Sequence, residues 1–146
     1  LSMRTFQRSL PMALMRAREA VMSEFSPELR KHDLSPQQWR VLRALEERSS
    51  MDATTISKHC ALLMPSLSRI LKNLEARELV IRAPSAEDQR RTHIEISDRG
   101  RSLFKLIAPF QELRYESLTE RFGYGKLELL YELLEELVEK VGKEEV

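Results

Sequence analysis

Five polar side chains in one short stretch carry the chemistry around which this sequence is organised: Ser66, Ser68, Arg69, Lys72 and Asn73. Ser68, Arg69, Lys72 and Asn73, with Arg77, fall off an apolar stripe made by Leu67, Ile70, Leu71 and Leu74. The stripe's spacings of three and four place it on one side of a helix, and Ser66 falls near the exposed helix start. An arginine can bond guanine through two donors, a serine can bond a base edge or a phosphate, and a lysine mainly neutralises phosphate. Such a helix could read a DNA groove, or it could be an ordinary amphipathic helix with a solvated face. A second cluster, Glu87-Asp88-Gln89-Arg90-Arg91, follows. Arg90 or Arg91 at a loop tip could enter a minor groove, where narrow A·T-rich tracts attract arginine. Asp88 could hold the Arg90 guanidinium in one rotamer and so reduce the ordering cost. Taken alone, a solvated charged loop explains the same residues.

The elements that would position these groups read as six helices and one hairpin. The first helix follows Ser9-Leu10-Pro11, repeats apolar residues at Leu14, Val21, Phe25 and Leu29, and stops near His32-Asp33. Ser35-Pro36 opens a second, to about Glu47, with a cap and a proline at the first helical position. Asp52 caps a short third helix carrying Thr54, and after a turn Pro65 starts a fourth, ending near Glu78. Leu79–Arg82 and His93–Ile96 read as strands flanking the Pro84–Arg91 loop. Ser97 or Asp98 caps a long fifth helix, about 99–121, that Pro109 should kink. Gly123-Tyr124-Gly125 breaks the chain before a last helix, about 126–141. Two short helices joined by a tight turn and followed by a hairpin make a winged helix-turn-helix. The expected fold is mainly α with a small β-hairpin wing, divided functionally as 1–34, 35–98 and 99–146 within one domain. The outer segments would dimerise and the middle one would read DNA.

Bulk properties agree with that division. With 42% hydrophobic and 32% charged residues, the 146-residue chain reads as soluble and globular. Residues 1–57 carry nine basic and seven acidic groups, residues 58–101 nine and six, and residues 102–146 six and ten. The middle third is thus the most basic and the last third the most acidic, the order expected if the middle faces phosphates. No apolar run approaches the roughly 18 residues of a spanning helix, and residues 1–8 lack the apolar stretch of a secretory signal. A single cysteine, Cys60, excludes an intrachain disulfide and suits a reducing cytoplasm. Its setting reads as core more than as a redox switch.

The first helix carries a second kind of chemistry. On a helical wheel Arg18 lies within the stripe of Leu14, Val21, Phe25 and Leu29, while Arg16 points roughly the opposite way. An arginine on an apolar face needs an anionic partner. A small aromatic acid would supply a carboxylate for Arg18 and a ring for Met22, Phe25 or Trp39, with His32 available to a ligand hydroxyl. A salt bridge across a dimer, or a snorkelling side chain, would satisfy Arg18 equally well.

Asp88-Gln89-Arg90-Arg91 followed by Ile94-Glu95-Ile96-Ser97-Asp98-Arg99-Gly100 resembles the wing signature of the MarR family, Asp-x-Arg and then a Leu-Thr-x-x-Gly-like strand end. Ile96-Ser97 replaces Leu-Thr and keeps a hydroxyl. The resemblance extends over helix order and lengths along nearly the whole chain. It implies a homodimer on a pseudopalindromic operator, usually a repressor released by a small ligand. A narrower resemblance, to the regulators of homoprotocatechuate (aromatic acid) degradation, rests on Ala17-Arg18-Glu19-Ala20, Gln37-Gln38-Trp39-Arg40, Ser50-Met51-Asp52 and Pro65-Ser66-Leu67.

The last helix has Leu127, Leu130, Leu134, Leu137 and Val141 at alternating spacings of three and four, a surface that a partner subunit would cover. Wings on a two-fold dimer would reach half-sites about 34–36 Å apart. His32, His59 and His93 have no metal-ligand spacing, and no cofactor motif or catalytic constellation appears. The remaining readings are an activator or cysteine redox sensor on the same fold, and a helical protein–protein adaptor.

Overall fold

A computed structural model of the chain describes residues 2–84 and 92–142. Short oxygen-bearing side chains write most of the helix starts. Ser9 accepts from the Met12 amide and opens α1 (Leu10–Lys31). Ser35 opens α2 (Pro36–Arg48) with a full capping box, its hydroxyl accepting from the Gln38 amide at 3.1 Å while Gln38 Oε1 accepts from the Ser35 amide at 2.8 Å. Asp52 accepts from the Thr55 amide at 2.7 Å and opens α3 (Ala53–His59). Leu63 precedes α4 (Met64–Ala76) with no side-chain cap, and Pro65 in the first turn supplies the helical φ instead. The Ser97 hydroxyl accepts from the Gly100 amide at 2.9 Å as α5 (Asp98–Phe122) begins. The last helix, α6, is Tyr124–Gly142.

Three helices end in the same way. At the ends of α1, α3 and α4, the residues Asp33, Ala61 and Glu78 adopt φ values of 53°, 53° and 60°. The following amides of Leu34, Leu62 and Leu79 then bond back to Leu29, Ser57 and Leu74 at 3.0, 3.0 and 2.9 Å. This is the Schellman arrangement, which usually places glycine at the left-handed position. The chain uses none of its four glycines there.

Three antiparallel strands, in the order β1-β3-β2, close one side of this helical lobe: β1 (Ser50–Asp52), β2 (Val80–Pro84) and β3 (Thr92–Ile96). The hairpin expected from sequence is present and pairs Val80 with Ile96, but its strands run on to a Pro84–Thr92 pair, so Pro84, read as loop, belongs to β2. The third strand was not expected. It pairs Met51 with Ile94, and burial of both side chains fixes the register. Gly100 lets α5 start against this sheet, since a Cβ there would collide with the Leu79 carbonyl oxygen and meet Ile96 at 2.9 Å. Ser97, itself buried, donates to the Glu78 carbonyl at 2.6 Å. The hydroxyl and glycine of the wing signature therefore serve one joint between β3, α5 and the end of α4.

Packing divides the chain into two compact units, residues 1–110 and 111–146. The first holds a continuous core in which Leu29, Leu42, Leu45, Ile56, Leu67, Leu74 and Ile107 are fully buried. In the second, the end of α5 and α6 form a helical hairpin, linked by a Tyr115–Tyr131 hydroxyl hydrogen bond. Gly123, at φ 110°, makes the turn. Gly125, expected in the break, lies inside α6 instead. Helical structure continues on both sides of Pro109, and α1 likewise contains Pro27, which removes the helical bond to the Ser23 carbonyl. A short 3-10 turn at Phe6–Arg8, unforeseen in sequence, precedes α1.

Candidate nucleic-acid interface

Helix α4 separates its two faces cleanly. Leu67, Leu71 and Leu74 are buried and Ile70 packs against the same core, whereas Ser68, Arg69, Lys72 and Asn73 are exposed and Ser66 is half-buried. Thr54 is exposed near the start of α3. The α3–α4 turn is held from within by a 2.5 Å bond from the Ser57 hydroxyl to the Leu62 carbonyl. It is held from outside by Arg40 of α2, whose Nη1 donates to the Cys60 carbonyl at 2.8 Å. A helix pinned this way loses little conformational freedom when its exposed face meets a ligand, and that favours tight recognition.

The wing rises beside it. Arg82 of β2 bonds Glu75 of α4 at 2.7 Å, so the root of the hairpin is tied to the helix. The expected groove contacts Asp88, Arg90 and Arg91 lie outside the described residues.

Two short helices at a fixed turn, an exposed basic face and an attached antiparallel wing are the parts of a winged helix-turn-helix. The MarR family model matches residues 32–91, which takes in α2, α3, α4 and β2 and stops just before β3. The homoprotocatechuate degradative operon repressor of Escherichia coli is 38% identical over 130 residues, 89% of this chain and 88% of that protein. This chain belongs to the MarR family. Among solved structures, NadR in complex with 4-hydroxyphenylacetate is 34% identical with a TM-score of 0.80, covering 94% of this chain and 97% of that one. The repressor CouR bound to a 23-mer DNA duplex is 28% identical with a TM-score of 0.81, covering 94% and 98%. A MarR-family chain of this kind is a transcriptional regulator and not an enzyme.

The residues expected to meet an effector fall in several settings within this MarR-family chain. On α1, Met22 and Phe25 are half-buried and Leu29 is fully buried. Arg18 keeps 49% of its side chain exposed and has Glu19 only at 3.9 Å. Its stripe neighbours Leu14 and Val21 are also exposed in the single chain. Trp39 of α2 stacks on Phe104 of α5, with ring centroids 5.0 Å apart and planes at 10°. His32 caps the end of α1, with Nε2 3.6 Å from Glu28 Oε1. It opens onto a cleft of about 440 Å3 shared with Asp33, Arg77, Arg99, Leu103 and Leu106. Arg18, Met22, Phe25 and Trp39 are not among the described residues lining that cleft. Its cations are already engaged: Arg99 with Glu78 at 3.5 Å and Arg77 with backbone carbonyls.

Sequence reasoning missed three residues here. Phe104 lies on a long helix with several aromatic and apolar candidates, so nothing marked it as the partner of Trp39. Gln38 was visible as the last residue of a Ser-x-x-Gln capping box, but its other bond, Nε2 to Asn73 Oδ1 at 2.8 Å, spans 35 residues. Arg77 was visible only as a polar position on α4. Cys60 is buried, and burial pushes its thiol up, against a smaller lowering influence from Arg40. No group of three potential metal ligands occurs among the described residues, and no described helix is long and apolar enough to cross a membrane.

Proposed function

We propose that this chain is a cytoplasmic, ligand-responsive repressor that binds a pseudopalindromic operator as a homodimer and leaves it on binding a small aromatic acid. The reading is carried by α4, whose exposed Ser68, Arg69, Lys72 and Asn73 stand opposite an apolar face on which Leu67, Leu71 and Leu74 are buried. Thr54, Ser66 and the wing residues Asp88, Arg90 and Arg91 complete the assigned DNA contacts. The operon repressor among its relatives and the DNA-bound CouR support the repressor and duplex parts. The 4-hydroxyphenylacetate complex of NadR supports an aromatic carboxylate as effector. Apolar side chains left exposed on α1 and α6, including Leu10, Leu14, Leu130, Leu133 and Val141, support assembly of two copies.

Arg18 is the assigned effector anchor, with Met22, Phe25, Trp39 and His32 around the ring. A half-exposed guanidinium whose ion pair with Glu19 is long, at 3.9 Å, and open to solvent can exchange it for a ligand carboxylate at little cost, whereas a buried ion pair could not. Charge-assisted bonds of this kind contribute about 1.5–3 kcal/mol, roughly ten- to a hundredfold in affinity. Buried Cys60, with its thiol pushed up, is poorly placed for redox sensing.

The test is titration of 4-hydroxyphenylacetate into preformed complex of the protein with a duplex selected from a random library. Wild type should release DNA, Arg18→Gln should stay bound at the same concentration, and Arg16→Gln should behave as wild type. Release by Arg18→Gln at the wild-type concentration would move the anchor elsewhere. Absence of salt-dependent duplex binding would leave the adaptor reading in its place.

A further inference from the structure

The polar groups at the C-terminal half of α4 do not all face outward. Arg77 follows the last turn of α4 and turns its guanidinium toward the end of α1, where Nη1 donates to the Asp33 carbonyl at 2.8 Å and Nη2 to the His32 carbonyl at 3.0 Å. Those carbonyls belong to the cap and the left-handed residue that end α1. The Arg77 backbone is also the C-cap of α4, so one residue ties the end of α4 to the negative end of α1.

One turn earlier, Asn73 meets the start of α2. Gln38 Oε1 is committed to the Ser35 amide, so its Nε2 must be the group that donates to Asn73 Oδ1. Asn73 in turn keeps its amide donors for anything outside. Two residues four apart on α4 thus hold both sides of the α1–α2 corner. Arg69 stands a further turn back on the same row of α4, in the DNA-reading face.

We infer that the α1–α2 corner is the joint through which displacement of α1 or α2 re-aims the recognition helix, with Arg77 and Gln38 as its positioning residues. The inference rests on the proposed effector reading, which puts Arg18 on α1 and Trp39 on α2. Buried Leu29 and Leu34 seat this corner in the core, and hydrogen bonds give it a directional link to α4. Its Arg77 side opens onto the cleft of about 440 Å3, and the Gln38–Asn73 bond is exposed. Directional bonds between rigid helices transmit a shift, while the open cleft leaves room for one. A ligand biases DNA binding only through a difference in its interaction with the two arrangements, and this corner is where that difference would reach α4.

The experiment compares wild type with Arg77→Met on a library-selected duplex, with and without saturating 4-hydroxyphenylacetate. The wild-type ligand effect on duplex Kd should be about tenfold or more, and in Arg77→Met it should fall to about threefold or less. Ligand affinity of the free protein and duplex affinity without ligand should each stay within about threefold, since Arg77 is spent on backbone carbonyls. A merely structural role would lower Tm and leave the ligand effect intact, and that result overturns the inference. If Arg77→Met does not fold, Arg77→Lys, which keeps the charge but not the two-pronged fork, carries the same comparison. A second arm needs no effector. Duplex binding should slow amide exchange at residues 30–38 in wild type and not in the variant, and equal slowing in both overturns the joint. Wild type that binds duplex but ignores the ligand removes the effector reading alone, and the exchange arm then decides the joint. Wild type that binds no duplex removes both.

Discussion

Helices α4 and α6 carry comparable apolar stripes and reach opposite ends. In α4, Leu67, Leu71 and Leu74 are buried by the core of their own chain. In α6 only Leu127 is buried, while Leu130, Leu133, Val138 and Val141 are exposed, Val138 to 71%. Burial of apolar area is worth about 25 cal/mol per Å2, so a stripe left in water is a stabilisation not yet taken. The comparison teaches that one chain suffices to build the DNA-reading lobe, whereas the proposed second copy would be needed to cover the terminal helices.

The largest expected effect attacks the uncovered side. Leu130→Glu should leave the core of residues 1–110 folded and break self-association. Leu130 is already partly covered within one chain, so most of the loss comes from burying an unpaired carboxylate in each copy, roughly 3–6 kcal/mol over a two-fold dimer. Sedimentation equilibrium should show a monomer, and duplex affinity should fall with it. A variant as dimeric as wild type would mean that α6 faces solvent in the assembly.

The next strikes the covered side. Gly100→Ala forces a methyl group into the Leu79 carbonyl at the β3–α5 joint. The backbone there must shift, at a cost of about 2–3 kcal/mol. Denaturant unfolding should show the loss without any change in subunit association below the transition. Gly125→Ala in α6, where an added Cβ meets nothing within 4 Å, is the control and should be neutral or slightly stabilising.

Smaller still is the split within the exposed face of α4. Arg69→Ala should lose about 1–3 kcal/mol on the preferred duplex and flatten the ranking of operator variants. Lys72→Ala should weaken every sequence alike and reduce the salt slope by about one. Matching profiles for the two variants across a duplex library would show that the reading face of α4 has been misassigned.

What was legible in the sequence was what local chemistry decides. Ser35, Asp52 and Ser97 announce helix starts because a short oxygen reaches the amides of the first turn. The stripe of α4 announces its buried side because period and polarity agree. β1 was not legible, since only Met51 in Ser50-Met51-Asp52 is apolar and its pairing with Ile94 exists only once the hairpin has folded. Contacts made across the fold were equally silent: Arg77 to the end of α1, Gln38 to Asn73, Phe104 to Trp39. At the candidate effector site, Arg18 was visible as an odd residue in an apolar stripe.

The helix ends supply the smallest effect and the finest test of that distinction. Asp33 is of a type that visits the left-handed region, but nothing in Ala61 or Glu78 signals it, and all three adopt it because the Schellman bonds and the buried Leu34 and Leu79 that follow two of them determine the chain path. A left-handed backbone costs a non-glycine residue about 1–2 kcal/mol. Glycine avoids that cost but carries more freedom into the unfolded chain, an offset of about 0.4–1 kcal/mol. Ala61 is the cleanest position, since it is exposed and its side chain is a single methyl group. Ala61→Gly should therefore stabilise the protein by about 0.5–1 kcal/mol, read as a higher denaturant midpoint at unchanged slope. Duplex binding should be unaltered, because the α3–α4 turn keeps its bonds from Ser57 and Arg40. A lower midpoint would mean that Ala61 sits in that conformation without strain, and that the turn's stability comes from Arg40 and the buried Cys60 rather than from its backbone.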